Sequence, residues 1–581
     1  MKKNVQLSWK LKKNARGLKK RLFPDLEEAT EIILRQRGID TPAKKEEFLH
    51  PDYYRHLADP FLLSDMDLAV QRLTQARSQK EKICIYGDYD VDGITSAVIL
   101  SDFLEEVGLE VMVYLPDRNK EGYGLNKAAL DYIQKQGAQL VITVDCGITN
   151  HQEVRYAREL GLEVIVTDHH FVPEKIPAGI VINPKKKGDE YPEKMLAGVG
   201  VTFKLIQALA RQWPDYDEER IKWFLDLVAI GTIADCVPLL GENRTLTKFG
   251  FLVLSKTRRV GLKQLFAVGS IKLDSFHLPS GEKVGFQIAP RINAAGRMDK
   301  ASAAYQLLKQ PESARRQARL LALEIESQNK HRQKETQAIL TEIEKNLDEQ
   351  TLPAAILESS PHWSLGLIGL VAGRLTDRYH RPSIILQDRG KVLKGSCRSV
   401  PQFHLMSALN KLSSLLEKYG GHAQAAGITI KKEKWPEFKK KFTKLVMEAK
   451  LPQEAAALEV DVVLNPVDLN AKLQQELNLL EPFGAGNPLP LFLLENVLVQ
   501  QIRTVGKDQK HLQLLVGAGE KFFKVIYFNY QNGEQGTIVA GDKVDILCYL
   551  EENYWQGKSS LEGRAVKIVK CFNNQDCYDC M

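Results

Sequence analysis

Nowhere in the 581 residues is there an uninterrupted apolar run of eighteen, so no segment is expected to cross a membrane as a helix. The N-terminus, Met1-Lys2-Lys3-Asn4-Val5-Gln6, is basic but is not followed by the apolar stretch of a secretory leader. Cysteine is scarce, with eight scattered residues. A chain of this size builds cores without disulfides, and reduced cytoplasmic thiols are the expectation. Cys571, Cys577 and Cys580 gather at the C-terminus. They are one ligand short of a tetrahedral zinc knuckle, which points to a tail. Internal repeats and low-complexity tracts are also missing. Neither sign of charge dominates, since 80 Lys and Arg face 73 Asp and Glu for a net +7. Bulk charge therefore identifies no polyanionic partner, and the placement of charge has to carry that question.

The hydrophobic fraction of 44% supports packed cores, and the length calls for about three to five domains. From Lys82 onward, short apolar runs alternate with amphipathic stretches. Lys82–Tyr86, Leu109–Leu115, Leu140–Val144 and Leu162–Thr167 read as strands, with a helix over Ile94–Val107. Such alternation predicts an α/β fold with a parallel sheet covered on both faces. Glu312–Glu349 has helical composition without Gly or Pro and predicts one long connecting helix. Ala354–Leu357 and Ser383–Leu386 open a second α/β region. Lys521–Phe528 and Lys543–Tyr549 predict a small C-terminal β-barrel. The expected division is an N-terminal region 1–70, an α/β domain 71–310, the helix 311–350, a second α/β domain 351–450, the barrel 451–570 and a tail 571–581.

Chemistry concentrates in Gly87-Asp88-Tyr89-Asp90-Val91-Asp92-Gly93. In an extended chain, residues two apart share a face. Three carboxylates about 5 Å apart would repel by roughly 3 kcal/mol per pair at an effective dielectric near 20. Hard divalent cations, which prefer oxygen ligands, remove that penalty. The pattern also opens an EF-hand loop, but the twelfth position, which needs an acid, is Ile99. Asp145, Asp168-His169-His170 and Asp235 each stand where an apolar run stops. Loops at the carboxyl ends of parallel strands converge on one crevice, so these residues are expected to meet. Any one such Asp reads equally well as a helix cap. The set, with adjacent histidines and no thiolates, points to manganese or magnesium.

With those motifs and Asp235, the sequence resembles the DHH phosphoesterase superfamily over about residues 20–570, and within it the branch of single-strand-specific exonucleases. The resemblance implies two ions, Mn2+ or Mg2+, one held by Asp88, Asp90 and Asp145 and the other by Asp92, Asp145, His169 and Asp235. Asp145 would bridge, and His170 would contact phosphate, making Asp145, His169 and His170 the catalytic residues. The superfamily's pyrophosphatase branch carries a histidine where Tyr86 stands here, and Asp88 supplies the replacement ligand. Gly420-Gly421-His422 resembles the Gly-Gly-His motif of the companion DHHA1 domain, although Lys418–Gly421 would also end a helix well. The resemblance further assigns DNA contacts to Arg118, Arg291, Asn293, Arg297, Arg398, Gly421 and His422. It places an oligonucleotide-binding barrel after Glu481–Pro490, where Phe522, Phe523, Tyr527, Phe528 and Lys524 could meet bases.

The implied activity is 5′ to 3′ hydrolysis of single-stranded DNA to mononucleotides in repair and recombination. A water between the ions would attack the phosphorus in line. Single-strand-binding protein and a helicase are implied partners, with a monomer as the default. A phosphodiesterase for dinucleotides and a non-catalytic replication scaffold share the core. The barrel argues against the first, and the intact acidic set argues against the second.

Overall fold

The computed structural model describes residues 8–118, 120–273, 278–298, 301–347, 352–452, 457–506, 509–518, 521–530, 538–555 and 558–571. Cys577 and Cys580 lie outside them. Two compact units result, one from Asp52 to Leu451 and the other from the described residues up to Pro51 and from Pro452 onward.

The first unit is built on a five-stranded parallel sheet. Its strands are β1 (Ile83–Gly87), β2 (Val111–Tyr114), β3 (Leu140–Val144), β4 (Glu163–Thr167) and β5 (Ile180–Ile182), in the order β2-β1-β3-β4-β5. β1 and β3 are buried at every residue, as expected of central parallel strands rich in Ile and Val. Helices α1 (Val91–Glu106), α2 (Gly198–Gln212) and α3 (Leu225–Ala234) share one core with this sheet. Next come α4 (Ala289–Met298) and α5 (Arg315–Asn346), the latter entered through a 3-10 turn at Glu312–Ala314. A second, mixed sheet follows. It consists of β6 (Ile356–Ser360), β7 (Ser383–Asp388), β8 (Val392–Arg398), β9 (Leu416–Gly421) and β10 (Ala425–Lys431), in the order β9-β10-β8-β7-β6, with helix α6 (Leu365–Tyr379) after β6. Only β6 and β7 in it are parallel.

Three local expectations are corrected. Asp88, Asp90 and Asp92 do not lie on an extended strand. Asp90 instead caps α1, its Oδ1 accepting the amides of Asp92 and Gly93 at 3.0 and 3.1 Å, so the helix starts three residues early. The apolar run ending at Asp235 is helix α3, buried on all sides, a pattern that sequence periodicity cannot tell from a buried strand. Lys418–Gly421 ends no helix. It forms β9, with Gly420 opposite Gly427 and Gly421 opposite Ala426.

In the second unit five strands close into a barrel. Phe492–Val505 pairs with His511–Ala518, then come Lys521–Tyr527, Lys558–Lys570 and Lys543–Trp555, which returns to the first. The N-terminal arm is built into this unit. Trp9–Leu11 pairs in parallel with Leu458–Val460. Buried Asp461 accepts Lys12 Nζ at 2.8 Å and the amide of Leu491 at 2.8 Å. Gln36 Nε2 donates to the Asp461 carbonyl at 2.8 Å. Asp461→Ala strands a buried amide and an ammonium, and is expected to cost about 2–3 kcal/mol in urea denaturation.

Candidate metal centre

Five chain segments deliver the acidic set of the first unit. Asp88 follows β1, Asp90 and Asp92 open α1, and Asp145 follows β3. Asp168, His169 and His170 follow β4, while Asp235 ends α3. Ligand atoms of Asp88, Asp90 and Asp145 lie within 4.8 Å of one another, as do those of Asp92, His169 and Asp235. Asp145, His169 and His170 form a third such group. His169 Nε2 is 3.2 Å from Asp145 Oδ1, 3.5 Å from Asp235 Oδ2 and 3.9 Å from Asp92 Oδ2. Asp145 thus stands between two clusters.

Backbone geometry holds these side chains in place. Asp145 has φ +61°, a left-handed conformation that costs a non-glycine residue about 1–3 kcal/mol and is typical of functional sites. The Asp92 carboxylate accepts the amides of Gly198 and Val199, both at 2.7 Å, at the start of α2. That approach needs glycine at 198, because a Cβ there would lie 2.6 Å from Asp145 Oδ1. Asp168 organises the histidine loop. Its Oδ2 accepts the Ile148 amide at 2.8 Å, and its Oδ1 accepts the amides of His169 and His170 at 2.7 and 3.0 Å and His170 Nδ1 at 2.8 Å.

Burial pushes the Asp92 pKa up to about 7, and the Asp235 charge adds to the effect while His169 opposes it. Asp235 also rises to about 7, through burial and then Asp90. Asp88 and Asp145 are driven well above the carboxylate range by burial and by neighbouring acids. His169 is held neutral by burial, the form that binds a metal. Burial opposes charge on His170, but its bond to Asp168 and the surrounding carboxylates outweigh this and raise it to about 9. Four buried atoms here, Asp88 Oδ1, Asp145 Oδ1 and both ring nitrogens of His169, have no hydrogen-bond partner. Buried polar atoms are rarely left so. An oxygen-rich set with one neutral imidazole suits hard divalent cations, which supply the missing partners.

Basic residues gather nearby in the same unit. Arg118 lies over the Tyr89 ring at 5.0 Å. Arg297 donates to the Gly366 carbonyl at 3.3 Å. Burial, then the charges of Arg118 and Arg332, lower its pKa to about 10. Arg398 is likewise lowered by burial and by Arg118, and it donates to the Cys397 carbonyl at 2.9 Å. Like charges thus act on one another here, with the Asp90 charge opposing the effect at Arg297. Arg291, whose charge acts on Arg332, is itself engaged by an acid. Glu326 holds its Nε at 2.7 Å, and the Gln287 carbonyl takes its Nη1 at 2.6 Å. Asn293 is half-buried on α4. Gly421 and His422 are exposed where β9 turns into β10, the His422 amide donating to the Ala425 carbonyl at 2.7 Å. In the other unit, Phe522 and Phe528 are exposed and Tyr527 is half-buried, while Phe523 fills the barrel and Lys524 pairs with Glu562 at 2.7 Å.

The sequence reading did not single out Tyr123, Lys185 or Gly198. Tyr123 Oη lies 3.1 Å from His170 Nδ1, and Lys185 Nζ donates to the His169 carbonyl at 2.5 Å. Loops bring both in, with no local signal. Gly198 stands in Gly198-Val199-Gly200, where glycines inside an apolar run could have flagged a close approach.

Residues 82–232 match the DHH family, N-terminal domain, and residues 351–448 match the DHHA1 domain. Fold and centre thus define a DHH-type phosphoesterase with its companion domain. Residues 460–566 match the RecJ OB domain. The single-stranded-DNA-specific exonuclease RecJ of Escherichia coli is 37% identical over 530 residues, 86% of this chain and 89% of that one. The chain belongs to the RecJ family. The RecJ of Bacillus subtilis is 38% identical over 90% of this chain, which spans 66% of that relative's length. The crystal structure of RecJ from Thermus thermophilus in complex with Mn2+ superposes with a TM-score of 0.79 at 31% identity, covering 94% of this chain and 77% of that one.

The geometry sets two expected outcomes. Gly198→Ala should weaken Mn2+ binding by about 10- to 100-fold in calorimetric titration, since it displaces Asp145 and the amides that hold Asp92. The second concerns pH. Asp92 and Asp235, at about 7 against an ordinary 3.8, make the metal-free fold bind more protons than the unfolded chain between those values. Its stability therefore falls as pH rises through that window. The rise in melting temperature on adding Mn2+ should accordingly be larger at pH 8 than at pH 6.

Proposed function

We propose that this chain is a metal-dependent exodeoxyribonuclease that hydrolyses single-stranded DNA in the 5′ to 3′ direction, releasing 5′ mononucleotides in repair and recombination. The observation that carries the proposal is Asp145 Oδ1, a buried carboxylate oxygen without a hydrogen-bond partner, on a residue shared by two ligand clusters. The cofactors are two Mn2+ or Mg2+ ions, one on Asp88, Asp90 and Asp145 and the other on Asp92, Asp145, His169 and Asp235. When bound, they supply a water of lowered pKa and charge neutralisation at the phosphoryl oxygens.

The protein's own groups do the rest. His170, protonated at neutral pH with Nδ1–H on Asp168, presents a hydrogen on Nε2 to a phosphoryl oxygen and offsets charge that grows in the transition state. Arg118, Arg297 and Arg398 hold phosphates of the strand by bidentate contacts, and the Gly421–His422 turn adds a contact from the second sheet. Asn293 faces substrate from α4, whereas Arg291 serves the site by fixing α4 to α5 through Glu326. On the barrel, the exposed Phe522 and Phe528 stack unpaired bases. The working division is a catalytic domain 71–310, a connecting helix 311–350, a DHHA1 domain 351–450 and a barrel 451–570. The protein acts as a cytoplasmic monomer, with single-strand-binding protein and a helicase as partners.

Digestion of 5′-end-labelled single-stranded DNA tests this. Label should appear first as mononucleotide, and EDTA should stop its release. Asp145→Ala should reduce it to background. Cleavage by that variant near the wild-type rate, or undiminished cleavage in EDTA, would overturn the assignment.

A further inference from the structure

The loop between β2 and the helix Lys127–Lys135 carries Tyr123 between Gly122 and Gly124, whose φ values are +88° and +82°. The loop is fastened from behind. Tyr86 Oη donates to the Gly124 carbonyl at 2.9 Å, and Glu121 accepts the Asp117 amide and Tyr114 Oη, both at 2.7 Å. The Leu125 amide donates to Asn150 Oδ1 at 3.2 Å. So held, the Tyr123 ring stands edge-on to His170, with centroids 5.4 Å apart and planes at 66°. Its hydroxyl donates to the Asp145 carbonyl at 3.4 Å and meets His170 Nδ1 at 3.1 Å. The ring is 43% exposed, so burial does not explain why it is placed there.

Proton positions follow from the partners. Asp168 accepts three backbone amides, and a carboxylate so engaged only accepts. The hydrogen between it and His170, 2.8 Å apart, therefore sits on Nδ1. The Tyr123 hydroxyl gives its own hydrogen to Asp145 and turns a lone pair toward the same Nδ1–H. Two acceptors then fix one donor, which defines both the tautomer and the ring plane, and Nε2 is the nitrogen left for substrate.

We propose that Tyr123 is a positioning residue for phosphodiester hydrolysis, its hydroxyl and ring holding His170 so that Nε2 meets the scissile phosphate. The inference rests on the phosphate role given to His170 above. Tyr123→Phe keeps the ring and removes only the hydroxyl. Its kcat on single-stranded DNA should fall about tenfold, in the range of a lost orienting partner. KM should stay within about twofold, and the Mn2+-induced rise in melting temperature should be unchanged. A kcat within about twofold of wild type overturns the proposal, and so does a fall accompanied by loss of the Mn2+ shift, which would make Tyr123 a support of the ligand set. His170→Ala, run alongside, separates the two layers. If it cleaves at the wild-type rate, the reading of His170 itself fails. If it is inactive while Tyr123→Phe is unaffected, only the positioning role fails.

Discussion

Like charges forced together out of water govern this protein. Two carboxylates 4 Å apart repel by about 4 kcal/mol at an effective dielectric of 20. Here Asp88, Asp92 and Asp145 are almost completely buried, beside a partly exposed Asp235. Asp88 Oδ1 and Asp145 Oδ1 accept no hydrogen bond from any lysine or arginine among the described residues. The fold tolerates the cluster because backbone amides face it, two at the start of α2 for Asp92 and two in the first turn of α1 for Asp90. Those amides hold orientation without cancelling charge. The residual demand for positive charge is what a pair of divalent ions satisfies, and the parallel sheet is the frame that makes the demand unavoidable.

A second field of opposite sign lies in the same unit. Burial, then the charges of Arg118 and Arg332, lower the proton affinity of Arg297; burial and Arg118 lower that of Arg398; and burial, then Arg374 and Arg291, lower that of Arg332. Arg332, buried on α5, leans on Asn329 Oδ1 at 2.9 Å. In the proposed function a phosphodiester meets both fields at once, with its scissile phosphorus at the ion-binding side and its neighbouring phosphates at the partly buried guanidinium groups.

Some of this was legible in the residues and some was not. The limits of β3 are legible because four of its five residues are Leu, Val or Ile and a central parallel strand is buried at every position. The run ending α3 passes for a strand end because, Thr232 apart, Leu227–Ala234 is apolar throughout. The three-acid motif pointed to a cation site by composition, but the reason given, a shared strand face, was wrong. Asp90 caps a helix and still lies in a group that could hold a cation, so the helix-cap and ligand readings are compatible for that residue. Arg291 and Arg297 sit in one motif on one helix. Glu326, thirty-five residues away, engages the first, while the second lies among Arg118, Arg332 and Asp90, and no local pattern carries that. Tyr123 and Lys185 arrive on loops, the first anchored by Tyr86 and Asn150 and the second by Asn183.

The pairing of Trp9–Leu11 with Leu458–Val460 has a consequence for synthesis. The barrel unit is discontinuous in sequence, with Asp52–Leu451 inserted between its two parts. A ribosome releases the arm first, yet its partner strand emerges roughly four hundred and fifty residues later, on the order of half a minute at bacterial elongation rates. The inserted unit is continuous in sequence and is complete before the partner strand is made. Maturation of the barrel is therefore tied to synthesis of the strands that follow Pro452, and a translation product interrupted before them would leave the Trp9–Leu11 strand unpaired.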